Sequence, residues 1–90
     1  MYSKITTVIN ETGLHARPAS DFVRTAHRFS SDITIRNLTD DGQSANCKSI
    51  IEVLAEGISQ NCQVMISAEG EDETLAVDTL VGMIDSGFSE

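Results

Sequence analysis

The stretch Gly13-Leu14-His15-Ala16-Arg17-Pro18-Ala19 gathers the residue types most able to do chemistry in this chain. His15 brings an imidazole, a nitrogen nucleophile that as a residue type exchanges its proton near neutral pH. Arg17, two positions on, brings a permanent cation whose N–H fork matches phosphate oxygens. Pro18 marks the first turn of a helix, where proline is tolerated because those N–H groups have no intrahelical partner to lose. The same N–H groups point outward and carry the positive end of the helix dipole. An imidazole at that start, with a guanidinium beside it, is suited to hold a transferred phosphoryl group. A histidine that merely caps a helix is the competing reading of His15 taken alone.

Little else in the chain competes for a chemical role. His27 stands in no comparable motif and reads as a surface histidine. It lies twelve residues from His15, and neither Cys47 nor Cys62 has zinc-ligand spacing to either, so no metal site is expected. The two cysteines form no C-x-x-C pair and read as reduced thiols. The run Glu69-Gly70-Glu71-Asp72-Glu73 lacks the alternating ligands of a calcium loop, and acids at the start of a helix interact favourably with its dipole. No glycine-rich nucleotide loop and no second acid or base accompany His15, so a group carrier without a cofactor fits better than a self-sufficient enzyme.

The formal net charge of -8 argues against nucleic acid and anionic membranes as partners. The charge is uneven, however. Arg17, Arg24, His27 and Arg28 follow His15 with Asp21 the one acid among them, a basic face suited to acidic protein partners, although on charge alone a solvated helix face explains it equally well. Met1 to Thr6 enters a strand pattern without the regions of a secretory signal, and no run approaches the roughly 20 apolar residues of a membrane span. A cytoplasmic, monomeric protein of one domain is expected.

The elements that position His15 follow from periodicity. Ser3 to Asn10 is a β-branched strand whose alternation leaves the buried face open, with Ile5, Thr7 and Ile9 on one parity and Thr6 and Val8 on the other. From Ala16 the period changes, and Phe22, Val23, Ala26 and Phe29 form a helical stripe ended by Ser30-Ser31-Asp32. Ile33 to Arg36 alternates as a second strand, Asp40-Asp41-Gly42 signals a hairpin, and Gln43 to Cys47 returns as a third. Ser49-Ile50-Ile51-Glu52 has the capping-box form and opens a short helix stopped by Gly57. Asn61 takes the left-handed turn before a fourth strand, Cys62 to Ala68, with Val64, Ile66 and Ala68 inward. Val77, Leu80, Val81 and Ile84 make the core stripe of a last helix, followed by a frayed Gly87-Phe88-Ser89-Glu90 tail. The order β-α-β-β-α-β-α predicts an α+β domain with all helices on one face of the sheet, because each helix has one apolar stripe to bury.

Gly13 to Ala19, Phe22-Val23 with Ala26, Lys48-Ser49-Ile50, Gly57-Ile58, and Ile66 to Glu73 together resemble the HPr family, the histidine-containing phosphocarriers of the bacterial phosphotransferase system. The resemblance covers essentially the whole chain, residues 1–90. It implies the HPr-like open-faced β-sandwich, a four-stranded antiparallel sheet under three helices. It also implies a phosphoryl group passing from phosphoenolpyruvate through enzyme I to Nδ1 of His15, then to sugar-specific EIIA domains. Arg17 would stabilise the phosphate, which would sit at the helix start formed by Ala16 and Arg17. The hairpin is longer than is usual in the family by about three residues, an insertion a surface loop absorbs at small entropic expense.

Ser49 matches the serine that HPr kinase/phosphorylase modifies in many members, a possible partner by resemblance. The capping role explains Ser49 equally well, and Glu52 and Glu56 depart from the family's pattern with charges that would repel a phosphoserine. Ser20, Arg24, Lys48, Ile50, Ile51 and Leu54 would form the partner-docking surface; the apolar three could instead all be core. Two other readings use the same chain: a regulatory HPr-like protein acting through phosphorylated Ser49 and a transcription factor, or a paralogue in nitrogen regulation or dihydroxyacetone phosphorylation. The first typically lacks the histidine that is present here.

Overall fold

In a computed structural model, which describes residues 1–40 and 42–89, the β-branched start of the chain forms β1 (Tyr2–Thr7). There follow α1 (Ala16–Ala26), β2 (Asp32–Asn37), β3 (Ala45–Asn46), α2 (Ile50–Ala55), β4 (Gln63–Glu69), α3 (Glu73–Asp85) and a closing 3-10 turn, Gly87–Ser89. The strands lie in the order β1-β4-β2-β3, antiparallel throughout, so the first and last strands in sequence are neighbours. Register puts Ile5 opposite Met65 and Ile35 opposite Ile66.

One face of this sheet is roofed by the three helices and the other is open. Ile33, Ile35, Val64, Ile66 and Ala68 point inward and are essentially inaccessible, whereas Ile5, on the open face, is 59% exposed. The parity that the sequence leaves open in β1 is therefore decided by position: Thr6 and Val8 face the helices. From that side Tyr2 Oη donates to Asp78 at 2.9 Å and Lys4 pairs with Asp78 at 2.8 Å. Phe22, Ala26, Leu80 and Ile84 are all fully buried against the sheet from above. Truncating Phe22 or Leu80 to alanine is expected to cost about 3–5 kcal/mol.

Several boundaries differ from the pattern-based expectation. β1 stops at Thr7, although Val8 still exchanges hydrogen bonds with Cys62 and Asn61. α1 stops at Ala26, leaving Phe29 beyond it, half-buried against the core. β3 shrinks to two residues because Lys48 N–H turns back onto Asn46 Oδ1, diverting the chain into α2. Asp41 of the expected turn and Glu90 of the tail lie outside the described residues. Residues Gly87 to Ser89 of the tail are not frayed. Gly87, at φ +67°, folds the chain back so that Phe88 meets Phe22 edge to face, 6.4 Å between centroids.

Two acids at the start of α3 bind neighbouring segments of the chain. Asp72 accepts from the Ser30 N–H at 2.9 Å, the Ser31 N–H at 3.0 Å and the Ser31 hydroxyl, joining the start of β2 to the start of α3. The Ser31 hydroxyl, and after it the Ser30 N–H, hold its carboxyl below the ordinary carboxylate range. Glu73 accepts from the Gly70 N–H at 3.2 Å. Cys47 and Cys62 are both reduced and buried, and burial pushes the Cys47 thiol up, so it sits as an inert core residue.

Candidate functional site

The loop between β1 and α1 is held from below. Asn10 is buried, and its side-chain amide donates to Gly13 O at 2.9 Å and to Thr12 Oγ1 at 3.0 Å. Leu14 donates its N–H to Ile58 O at 3.0 Å and buries its side chain completely. Gly13 permits this close approach: at φ +63°, a Cβ there would lie 2.5 Å from Ile58 O and 2.6 Å from Ser59 Cα. Both neighbours are backbone, so no side-chain rotation would relieve the clash.

His15 is therefore presented at the end of a fixed loop. It occupies the N-cap position of α1 in extended conformation, φ -132° and ψ 164°, and is exposed. Its side chain makes no capping hydrogen bond, and the first turn of α1 contains no acid. The outward N–H groups of that turn are thus uncapped by any side chain of their own, and the dipole end is not neutralised. Ala16 follows at φ +52°, a left-handed conformation that costs an alanine about 1–2 kcal/mol. Arg17 is exposed and has no hydrogen-bond acceptor among the described residues, while Pro18 and Ala19 are buried and anchor the helix. Sequence reasoning places His15 and Arg17 correctly at a helix start. It misses the strain at Ala16, because alanine is the best helix former and signals the opposite.

A second cluster lies beside the first. Ile50, Ile51 and Leu54 are 39%, 77% and 41% exposed, and Val53 is the buried residue of α2, so the all-core reading of the three is wrong. Ser20 and Arg24 are exposed on α1, with Arg24 3.4 Å from Asp21. Lys48 is half-buried and donates its ammonium to Phe29 O at 2.7 Å, while His27 Nε2 donates to Lys48 O at 2.8 Å. His27 is exposed as expected. The tie it makes between the end of α1 and the approach to α2 has no sequence signature.

Ser49 is the N-cap of α2, its hydroxyl accepting from Glu52 N–H at 3.3 Å. The reciprocal arm of the capping box goes elsewhere: Glu52 accepts from Asn46 N–H at 3.1 Å. Glu56 accepts from Asn37 N–H at 3.0 Å. Both acids that the sequence marks as departures thus pin α2 to the β2–β3 hairpin.

Among the described residues no group of His, Cys, Asp and Glu is placed to hold a metal ion, and no helix is long and apolar enough to cross a membrane. An open sheet roofed by three helices, with an exposed histidine heading the first of them, is the layout of a small phosphoryl carrier. Comparison with known proteins makes the class particular. Residues 2–86 match the family described as PTS HPr component phosphorylation site. Over 84 residues the chain is 45% identical to phosphocarrier protein HPr of Haemophilus influenzae, covering 93% of this chain and 95% of that one. It is 42% identical to a multiphosphoryl transfer protein of Vibrio cholerae, matching 90% of this chain but only 20% of that longer protein. The crystal structure of HPr-C-His from Thermoanaerobacter tengcongensis superposes with a TM-score of 0.94 at 44% identity, covering 100% of this chain and 98% of that one. The chain belongs to the HPr family, the phosphocarriers of the phosphotransferase system, which are not enzymes in themselves.

Proposed function

We propose that His15 accepts a phosphoryl group from phospho-enzyme I, ultimately from phosphoenolpyruvate, and passes it to sugar-specific EIIA domains. The observation that carries this reading is the exposed, uncapped helix start holding His15 beside Arg17. Nδ1 supplies the lone pair that attacks phosphorus as the donor's bond to phosphorus breaks. The transferred oxygens then meet the first-turn N–H groups and the Arg17 guanidinium, which stabilise their charge. Transfer onward reverses the same step. The protein acts as a cytoplasmic monomer of one domain, docking partners through Ser20, Arg24, Ile50, Ile51 and Leu54, with Lys48 fixing the seam between the two helices.

Incubation with phosphoenolpyruvate and a purified enzyme I, followed by intact mass, tests this. One phosphate is expected, labile in acid, stable in base and absent from His15→Ala. A wild-type protein that stays unmodified while a control carrier is phosphorylated sinks the reading. Ser49 is the second modification candidate, and its hydroxyl already caps Glu52 N–H. Unmodified Ser49 after incubation with an HPr kinase/phosphorylase, in both wild type and Glu52→Gly, removes it.

A further inference from the structure

The backbone that carries His15 out of β1 is anchored to the segment before β4. Val8 N–H donates to Cys62 O at 2.9 Å, Asn61 N–H to Val8 O at 2.7 Å, and Gln60 Nε2 to Ile9 O at 3.1 Å. Leu14 N–H reaches Ile58 O at 3.0 Å. Between these anchors stands Asn10, a polar residue only 6% exposed. Its backbone carbonyl accepts from Gly13 N–H at 3.1 Å. Its side-chain Nδ2 donates to Gly13 O at 2.9 Å and to Thr12 Oγ1 at 3.0 Å. One residue grips both the N–H and the C=O of Gly13.

The consequence falls on a single peptide plane. Gly13 C=O and Leu14 N–H belong to the same peptide unit, which resonance keeps planar. Asn10 holds one end of that plane and Ile58 the other. Because Leu14 is also fully buried, the chain leaves the clamped plane toward His15 with little freedom. Ala16 then follows at φ +52°, and a conformation of that kind persists only where its surroundings over-determine it. An amide suits position 10 because Gly13 is buried, and a buried carbonyl needs a donor. Both Nδ2 hydrogens have acceptors, Gly13 O and Thr12 Oγ1, and alanine at this position withdraws them together.

We propose that Asn10 is a positioning residue for phosphoryl transfer: its side-chain amide clamps the Gly13–Leu14 peptide and so sets the backbone from which His15 meets the first turn of α1. The inference rests on His15 as the phosphoryl acceptor. Being buried, Asn10 acts through the backbone and not by contact with a partner. Positioning of that kind enters the rate of transfer more than docking, and an ångström of misplacement can cost about 100-fold. It acts on the presentation of His15 itself, so acceptance and donation of the phosphoryl group suffer alike.

The test uses the full chain as substrate of purified enzyme I and, once phosphorylated, as donor to a purified EIIA domain. Asn10→Ala is expected to lower kcat about tenfold with both, KM staying within about twofold. Amide exchange at Leu14 is expected to quicken about tenfold in the same variant, while the amides of β4 keep their protection. Val77→Ala opens a cavity in the buried stripe of α3 and controls for lost stability; kcat should not move while the protein is folded. Asn10→Ser keeps a shorter donor and should lose about threefold in kcat, which serves if Asn10→Ala does not fold. Unchanged kcat in the folded variants overturns the proposal. So does a rise in KM with kcat intact, which makes Asn10 a docking residue, or a Val77→Ala loss as large as that of Asn10→Ala. Slowed transfer with Leu14 exchange unmoved overturns the clamp. Wild-type protein that gains no phosphate on His15 from an active donor removes the carrier reading and the positioning role with it.

Discussion

The starts of α1 and α3 are built from the same backbone donors and put to opposite uses. At α3 the N-cap side chain makes no capping bond either, but the start carries carboxylates that bind neighbouring segments: Asp72 takes two N–H groups and a hydroxyl from Ser30 and Ser31, and Glu73 takes the Gly70 N–H. At α1 the N-cap residue makes no capping bond and the first turn has no acid, while a guanidinium stands free beside it. One helix start carries acids at its positive dipole end, and they tie it to neighbouring segments of the fold. The other has no acid in its first turn, which in the function proposed above leaves its positive end to the phosphoryl group. Of the three, α2 alone has a side-chain capping bond at its N-cap, from the Glu52 N–H to the Ser49 hydroxyl.

Four substitutions, with a fifth as a control, sharpen this contrast. The largest effect is expected from Arg17→Gln, which removes the cation from the open start and should slow phosphoryl transfer by about 100-fold while leaving thermal stability unchanged. Transfer kinetics alongside a melting curve check both halves.

At the start of α3, Asp72→Asn should weaken the fold at neutral pH without touching transfer. The sign follows from the depressed carboxyl of Asp72. A group whose pKa is lower when folded contributes stability above its unfolded value, roughly 4, and loses it as pH falls through the folded value. Urea unfolding of wild type and variant should therefore differ near neutrality and converge in acid below about pH 4. A gap that persists undiminished in acid would break the assignment.

Ser49→Ala removes the one cap of α2 and should cost about 1 kcal/mol in chemical denaturation, with His15 phosphorylation intact. Ala16→Gly is the smallest. Relief of the left-handed strain, about 1–2 kcal/mol, outweighs the added freedom of the unfolded chain, about 0.5–1 kcal/mol, for a net gain of about 0.5 kcal/mol. The same change at Ala55, in ordinary helix, should instead destabilise by about 0.5–1 kcal/mol. Equal signs at the two positions would contradict the strain at Ala16.

Much of the fold is legible in residue order because each element declares its own period. Val64, Ile66 and Ala68 alternate as β4 requires, and Val77, Leu80, Val81 and Ile84 repeat as α3 requires. Gly57 and Asn61 sit at φ +64° and φ +74°, where those residue types are favoured. The tail was misread for a physical reason. Phe88 has no periodic neighbours, and its burial depends on Phe22, which lies far away in sequence. The same holds for Asp72, whose role is set by Ser30 and Ser31 on another element.

For the site, residue types alone determined that an imidazole, a guanidinium and a proline-marked helix start fall within three positions of one another, the grouping on which the proposed phosphoryl transfer rests. How the loop presents His15 at that helix start was decided only by tertiary structure. Asn10 and Ile58 hold the loop from below, Gly13 allows the approach, and Ala16 carries the strain. These are long-range or conformational facts. A pattern of residue types records what each side chain can do, but the backbone angle at Ala16 and the contact between Gly13 and Ile58 exist only once the sheet has brought distant segments together.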